Sequence, residues 1–224
     1  MKNIFHLALI LDGNRRWARR RGLPRFVGHR RGVENLRKLL PVFVENGITH
    51  LTAYALSTEN LAGRNPSELK SLFELVEKFA ADDAVFFENK IRVNIFGELK
   101  KFPTSTKKVL RDLVERTKKH ENLVLNLPLG YGARSEIVRA ANELVKSGRR
   151  ATEQNFAKFL FSENQPDPDL LIRTGGSKRL SNFLLWQLAY SEFYFSEKMW
   201  PEFDAAELET ALEFFREQKR NFGK

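Results

Sequence analysis

Two kinds of apolar run alternate along this chain. FHLALILD, residues 5–12, is unbroken hydrophobic sequence stopped by Asp12-Gly13-Asn14, the pattern of a strand covered on both faces. THLTAYALS (49–57), IRVNIFG (91–97), NLVLNLPLGY (122–131) and DLLIRTG (169–175) repeat it. Between these runs the spacing becomes helical. After Gly28, the apolar positions Val33, Leu36, Leu39, Leu40, Phe43 and Val44 fall three or four apart, and Gly47 closes the run. Asn65-Pro66-Ser67-Glu68 reads as a helix start with proline in the first turn. Leu69, Leu72, Phe73, Val76 and Phe79 then give the following helix one long apolar face. Segments 107–120, 134–145 and 205–219 read as helices too. The expected fold is α/β: one domain over residues 1–224, with a central, mostly parallel sheet flanked by helices. No internal repeat or low-complexity linker interrupts it.

In a parallel sheet, ligands bind beyond the carboxyl ends of the strands. That rule brings Asp12-Gly13-Asn14, Ser57-Thr58-Glu59-Asn60, Gly130-Tyr131-Gly132 and Arg173-Thr174-Gly175-Gly176 to one rim. Each of these stretches is small, polar or both, and each follows an apolar run.

Charge narrows what the rim would bind. The chain carries a formal net charge of +10 over 224 residues, which calls for an acidic partner: nucleic acid, anionic lipid or a phosphorylated small molecule. Behind the single acid Asp12 stand Arg15, Arg16, Arg19, Arg20, Arg21, Arg25, Arg30 and Arg31. Cysteine is absent, which excludes disulfides and thiolate metal sites and suits a cytoplasmic protein. The short apolar run near the start is read as a strand rather than a signal sequence, and no run approaches the ~20 apolar residues of a membrane-spanning helix. Peripheral contact with a membrane stays open.

Arg16, Arg25, Arg173 and Arg179 offer planar forks to phosphate oxygens. Gly13, Gly175 and Gly176 would let backbone amides approach an anion, and a helix starting near Asn14 would add its positive end. Asp12 repels phosphate, so a carboxylate in this company suggests Mg²⁺ bridging it to a diphosphate; equally, Asp12 could cap the helix that follows. Other motifs are weaker. GYGARS lacks the acid that a dinucleotide fingerprint carries about 20 residues on. There is no GxxxxGK[ST] loop, and four histidines without cysteine argue against zinc. His29 among arginines reads more readily as a hydrogen-bonding residue than as a base. The phenylalanine-rich helix faces read as core, and a hydrophobic tunnel would use the same residues.

LILDGNRRWARRRGLPRFVGHRRG, LTAYALSTEN, YGARSEIV and PDLLIRTGGSKRLSNFLLWQLAYSEFYFSEKMWPEF, taken in order, resemble the motifs of the cis-prenyltransferases, of which undecaprenyl diphosphate synthase is the best-known member. The resemblance runs over residues 5–223. It implies a mostly parallel sheet with an elongated hydrophobic tunnel, a homodimer, dependence on Mg²⁺ and the joining of an allylic diphosphate to isopentenyl diphosphate with loss of diphosphate. On this chain it implies Asp12 as catalytic acid and metal ligand, with Glu192 as a further metal-site acid. Gly13, Asn14, Arg16, Arg25 and His29 would hold the allylic diphosphate, with Arg15, Trp17 and Arg64 also at the substrate. Ser57 and Asn60 would assist proton removal, and Arg173, Arg179 and Ser181 would bind the second diphosphate.

Several positions depart from the family pattern. Ser177 stands where a Glu is usual, Leu61 where Trp is usual, Gly130 where Asn is usual, and a residue is inserted near 62–64. The tail RNFG, 220–223, resembles the segment that reaches a partner subunit, with Asn221 in place of a common Arg. The altered donor site points to weaker metal binding or a changed second substrate. Segment 68–97, about one residue shorter than in long-chain members and carrying the large Phe79 and Phe86, points to a short product, whereas the small Ala55 points the other way. Two further readings follow from these features. One is irregular head-to-middle coupling of two dimethylallyl diphosphates into a branched or cyclised, lavandulyl-type C10 diphosphate. The other is a silent partner subunit, which would be expected to lose the aspartate and arginines that this chain keeps. A nucleic-acid binder has only the net charge in its favour, and no nucleic-acid partner is expected.

Overall fold

Continuous apolar runs need cover on both faces, and the fold supplies it. A computed structural model of the chain describes residues 5–218. In it β1 (His6–Ile10), buried throughout, pairs with β2 (His50–Tyr54) on one side and β6 (Leu170–Arg173) on the other. Beyond β2 lies β5 (Leu123–Tyr131), which carries β4 (Ile91–Phe96) on its outer side. A two-residue strand, β3 (Leu56–Ser57), resumes the line of β2 after Ala55 and also pairs with β5, with a register shift between its two residues. β7 (Glu192–Phe195) pairs with β6 and ends the seven-stranded sheet. Every pairing among the described residues is parallel. The strand β7 has no counterpart in the sequence reading. At four residues, partly exposed along an edge, it lacks the long apolar run that marks the others.

The helices are α1 (Asn14–Arg20), α2 (Arg25–Glu45), α3 (Thr58–Ala62), α4 (Pro66–Ala81), α5 (Ala84–Glu88), α6 (Thr104–Thr117), α7 (Ala133–Lys146), α8 (Glu153–Ala157) and α9 (Ala205–Glu217). Helix α4 begins as expected: the Asn65 side chain accepts from the Glu68 amide at 2.8 Å, and Pro66 fills the first turn. Helix α2 starts at Arg25, before the apolar period sets in, because its first turn packs by glycine. A Cβ on Gly28 would lie 2.1 Å from the Asn14 carbonyl oxygen, so α1 lies close against α2 there. The short helices α3, α5 and α8 span little more than one turn, too little to show a period. The expected helix over 205–219 runs to Glu217, and residue 219 lies outside the described residues.

Side chains leave a strand alternately to its two faces, and β1 shows it. Leu7 and Leu9 enter the larger core beneath α2, α4, α6 and α9, while Ala8 and Ile10 enter a second, smaller one with Leu171, Phe183 and Leu188. No helix among the described residues is long and apolar enough to cross a membrane.

At the amino ends of the strands a polar network locks the sheet. His6 is buried; its Nδ1 donates to the Pro166 carbonyl at 2.7 Å and its Nε2 accepts from the Thr52 hydroxyl at 2.7 Å. Asn126 in turn donates to Thr52 at 3.1 Å and to Gln165 at 2.5 Å. This arrangement needs a neutral imidazole, and burial pushes the His6 pKa down to about 4. Between that value and the ordinary 6.5 the unfolded chain binds the extra proton, so stability rises with pH across this window and is lost as pH falls through it. Unfolding free energy is expected to drop by up to about 3 kcal/mol through His6 between pH 6.5 and 4. His29, depressed to about the same value, adds in the same direction. Denaturant titrations of wild type and His6→Gln at several pH values check this; parallel pH profiles for the two proteins would remove His6 as the cause.

Candidate active site

Three of the four expected strand ends meet at a cavity of about 480 Å³. Its mouth is polar: Asp12, Gly13, Asn14, Arg15 and Arg16 after β1, His29 from α2, Ser57, Asn60 and Arg64 around α3, and Arg173, Arg179 and Ser181 after β6. Its interior is apolar. Val33 and Leu36 come from α2, Leu72, Leu75, Val76 and Phe79 from α4, Leu110 from α6, and Leu127 and Leu129 from alternate positions of β5. The Gly130–Gly132 stretch does not line it. Tyr131 is buried and donates to Glu136 at 2.5 Å.

Asp12 does not cap α1. The N-cap is Gly13, at φ 110° and with Met199 against its Cα, and no side-chain bond caps the helix. The Asp12 carboxylate instead reaches Arg173 Nη2 at 2.7 Å and Arg16 Nη2 at 3.3 Å. Its backbone oxygen accepts from Thr174 Oγ1 at 2.7 Å and from the Trp200 amide at 2.9 Å. The Arg173 side chain is only 3% exposed. Its Nη1 donates to Ser181 Oγ at 2.8 Å and to the Arg179 carbonyl, and its Nε has no partner. Two guanidinium groups on one carboxylate leave net positive charge beside the cavity, with an unmatched buried donor. That is the electrostatic shape of an anion site.

The glycines after β6 act differently from the sequence reading. The Gly175 and Gly176 amides donate to the Lys198 and Ser196 carbonyls at 2.7 and 2.9 Å, so they are used within the fold and not offered to an anion. Gly175 instead makes room: a Cβ there would stand 2.4 Å from Arg16 Nη2. At Asn14–Arg16, by contrast, the first-turn amides of α1 have no carbonyl of their own helix to meet, and all three residues line the mouth.

Across the mouth a second network surrounds Arg64. It donates to His29 Nε2 at 3.3 Å, to Glu68 Oε1 at 3.2 Å and, through Nη2, to Asn60 Oδ1 at 2.9 Å. Asn60 Nδ2 and its amide both point to Ser57 Oγ, at 3.0 and 3.1 Å. Burial, and after it the charge of Arg64, pushes His29 down to about 4, so the imidazole is neutral near pH 7 and accepts a hydrogen bond from the arginine. With Arg64 Nε also unpartnered, this cluster offers a second cationic edge to the cavity.

Other expected site residues stand elsewhere. Arg25 is exposed at the first position of α2 and does not line the cavity. Trp17 also lies off it, with Arg21 stacked 4.6 Å from its ring centre. Glu192 is paired with Leu170 at the start of β7, whereas Arg173, beside Asp12, is paired with Phe195 at its end. Three residues of strand separate the two levels, roughly 10 Å, so one chain does not bring Glu192 and Asp12 to one ion. The tail 220–223 lies outside the described residues. Trp200, a residue that residue pattern alone does not single out, lines the cavity, donates from Nε1 to the Gly32 carbonyl at 2.7 Å and so ties α2 to the Asp12 loop. Glu68 both meets the Asn65 cap at the start of α4 and pairs with Arg64, and only the first of these is marked by sequence spacing.

Asp12 is the one carboxylate among the described residues that lines the cavity, and no group of three or more His, Cys, Asp or Glu there could hold a metal alone. A single carboxylate suits Mg²⁺ that takes its other ligands from a diphosphate and water. The donor set therefore fits Mg²⁺ arriving with substrate.

Residues 10–223 match the family model described as "Putative undecaprenyl diphosphate synthase". Isoprenyl transferases of Aquifex pyrophilus and Fusobacterium nucleatum are 45% and 43% identical to this chain, over 98% and 97% of it and 95% of each relative. Among solved structures, lavandulyl diphosphate synthase of Lavandula x intermedia, in complex with dimethylallyl diphosphate, superposes with a TM-score of 0.94 at 33% identity, covering 99% of both chains. A probable undecaprenyl diphosphate synthase of Campylobacter jejuni gives 0.84 at 35% identity, covering 100% of both.

The anion reading of the mouth is open to direct measurement. Arg16 is partly exposed, so Arg16→Met is expected to fold and to bind inorganic diphosphate about tenfold more weakly by calorimetry, as befits losing a charge-assisted bond. Unchanged affinity would place the anion elsewhere.

Proposed function

The chain belongs to the undecaprenyl diphosphate synthase family of isoprenyl transferases, and from that we propose that it joins an allylic diphosphate to a C5 unit such as isopentenyl diphosphate and stops at a short product. The observation that carries this reading is the cavity itself, cationic at the mouth and apolar within.

An allylic C–O bond that breaks leaves positive charge on carbon and adds negative charge to the departing diphosphate. Arg16, Arg173 and the first-turn amides of α1 stand ready for that charge, and such preorganised donors are worth most where charge grows. Mg²⁺, held by Asp12 together with the diphosphate, would add Lewis-acid stabilisation to the same oxygens. The leucine, valine and phenylalanine lining keeps water from the allylic carbon. As the new C–C bond forms, the adduct must lose a proton. Asn60 has its oxygen bound to Arg64 and its nitrogen directed at Ser57, so it orients Ser57 better than it accepts a proton. A departing diphosphate oxygen is the base this geometry favours, with Ser57 and Asn60 holding the donor in place.

Volume supports the short product. The cavity is small, about 480 Å³, and a bulky aromatic side chain is part of its lining. Phe79 stands at its far end, backed edge-on by the fully buried Phe86 at 5.3 Å between ring centres.

A second reading, coupling of two dimethylallyl diphosphates to an irregular C10 product, draws on Ser177 in place of the family's usual acid and on the close superposition with the lavandulyl enzyme. We also propose a homodimer, supported by the edge strand β7 with Phe193, Tyr190 and Leu185 exposed on and near it. Glu192 begins that strand, so a metal role for it belongs to a site other than its own chain's Asp12 pocket. A cytoplasmic location is part of the same reading.

The deciding assay gives the purified protein and Mg²⁺ dimethylallyl diphosphate alone, then with isopentenyl diphosphate, then longer allylic primers, with products identified by mass. Turnover only with isopentenyl diphosphate, ending near C10 to C20, is expected; a C10 product from dimethylallyl diphosphate alone establishes the irregular reaction instead. Asp12→Ala should lose at least about 10³-fold in turnover, the scale of removing a principal electrostatic group, with an unchanged circular dichroism spectrum. Phe79→Ala should lengthen the products, and products of unaltered length would take Phe79 out of the floor.

A further inference from the structure

The far end of the cavity is held by a residue that does not touch it. We propose that Arg37 is a specificity-determining latch: it keeps the floor at Phe79 closed and thereby sets product length. The inference rests on the reading of the protein as a chain-elongating synthase.

Helix α4 carries the cavity wall from mouth to floor. Glu68, paired with Arg64, marks its polar end, and Phe79 stands about 16 Å further along the axis at the rise of an α-helix. Just beyond Phe79 the helix stops, and its last carbonyls need donors from outside. Arg37, on α2, supplies them. Its Nη2 donates to the Phe79 carbonyl at 2.8 Å; its Nη1 donates to the Asp82 carbonyl and pairs with the Asp82 carboxylate at 2.6 Å. The same guanidinium lies 5.2 Å from the Phe79 ring centre and 5.9 Å from that of Phe86, within cation–π range of both. One side chain thus joins α2, the end of α4 and α5.

This geometry goes beyond ordinary capping. Glycine or water could satisfy a helix end, but here the donor comes from the helix that supplies Val33 and Leu36 to the same cavity. A prenyl chain growing past the floor must turn the Phe79 ring aside, and the ring cannot move with its helix turn unless the Arg37 bonds to the Phe79 and Asp82 carbonyls yield. Each added C5 unit presses on the floor with the free energy of burying more apolar surface, and Arg37 is the element opposing it. Arginine suits the task because its planar fork makes several directed bonds at once, which a lysine ammonium on a flexible stem does not.

Arg37→Met keeps an unbranched stem while removing the charge and the donors. In the assay with isopentenyl diphosphate, its product distribution is expected to extend by at least one C5 unit, with about a tenfold rise in the fraction longer than the wild-type terminal product. The rate of the first condensation should stay within about threefold of wild type, because that step occurs at the mouth. Hydrogen exchange over residues 77–83 should rise by about tenfold, since the turn opens without its latch. Arg37→Lys should fall between the two. If Arg37→Met does not fold, Asp82→Asn decides instead: the Asp82 side chain is 68% exposed, so the substitution spares the core, and it should shift product length in the same direction by less. Folded variants with wild-type products and wild-type exchange would overturn the latch while leaving the synthase reading intact. A wild-type protein that never elongates would overturn both.

Discussion

The contact between Asp12 and Arg173 joins the ends of two adjacent strands, and the rest of the site is built around it. Parallel register places Ile10 beside Arg173, so the chain leaving β1 and the last residue of β6 meet at one level. An almost fully buried guanidinium demands anionic company, and Asp12 meets only part of that demand because it is shared with Arg16. The loop after β1 cannot move without uncovering Arg173. Backbone bonds reinforce the constraint: Thr174 and Trp200 both hold the Asp12 carbonyl, and Trp200 reaches on to Gly32 of α2. The backbone of this loop, through Trp200, thus ties α2 to the strand ends, while the ion pair sets the charge at the mouth. A diphosphate would complete the balance that Asp12 leaves unfinished.

Much of this was legible in residue pattern alone. Unbroken runs such as FHLALILD gave parallel strands, because a strand covered on both faces has no polar side to show. Strand ends then located the mouth, since polar and small residues after such runs have few other places to be. Motif likeness placed Asp12, Arg16, His29, Ser57, Asn60, Arg64, Arg173, Arg179 and Ser181 on one cavity, and the structure gathers them there.

Failures of the pattern have physical causes of their own. Glycine signals flexibility and room but not which of the two is used; at Gly175 it is room for Arg16, while the amide is spent on Lys198. Asp12 before a helix fits a cap as well as it fits an ion pair, and only the register of β6 decides between them. Glu192 shares a motif with the site but lies at the opposite end of a strand that sequence did not reveal. Arg37 was invisible for a different reason. Its partners are two backbone carbonyls, the distant Asp82 carboxylate and two ring faces, and none of these has a spacing that sequence records.

Mouth and interior therefore answer to different parts of the chain. Charge at the mouth is set by loops after β1 and β6 and by the Arg64 cluster, whereas capacity is set by how far α2 and α4 stand off the sheet and by what ends α4. Substitution at one end need not disturb the other, because the two are separated by about 16 Å of helix and share no polar contact. Such separation is what a family needs if it is to keep one diphosphate chemistry while its members release products of different length. In this chain the mouth is ringed by Asp12, Arg16, Arg64 and Arg173, and Phe79 at the other end of α4 lies under Arg37. The two ends are built from different elements, so the choice of donor and the length of the product would be set separately.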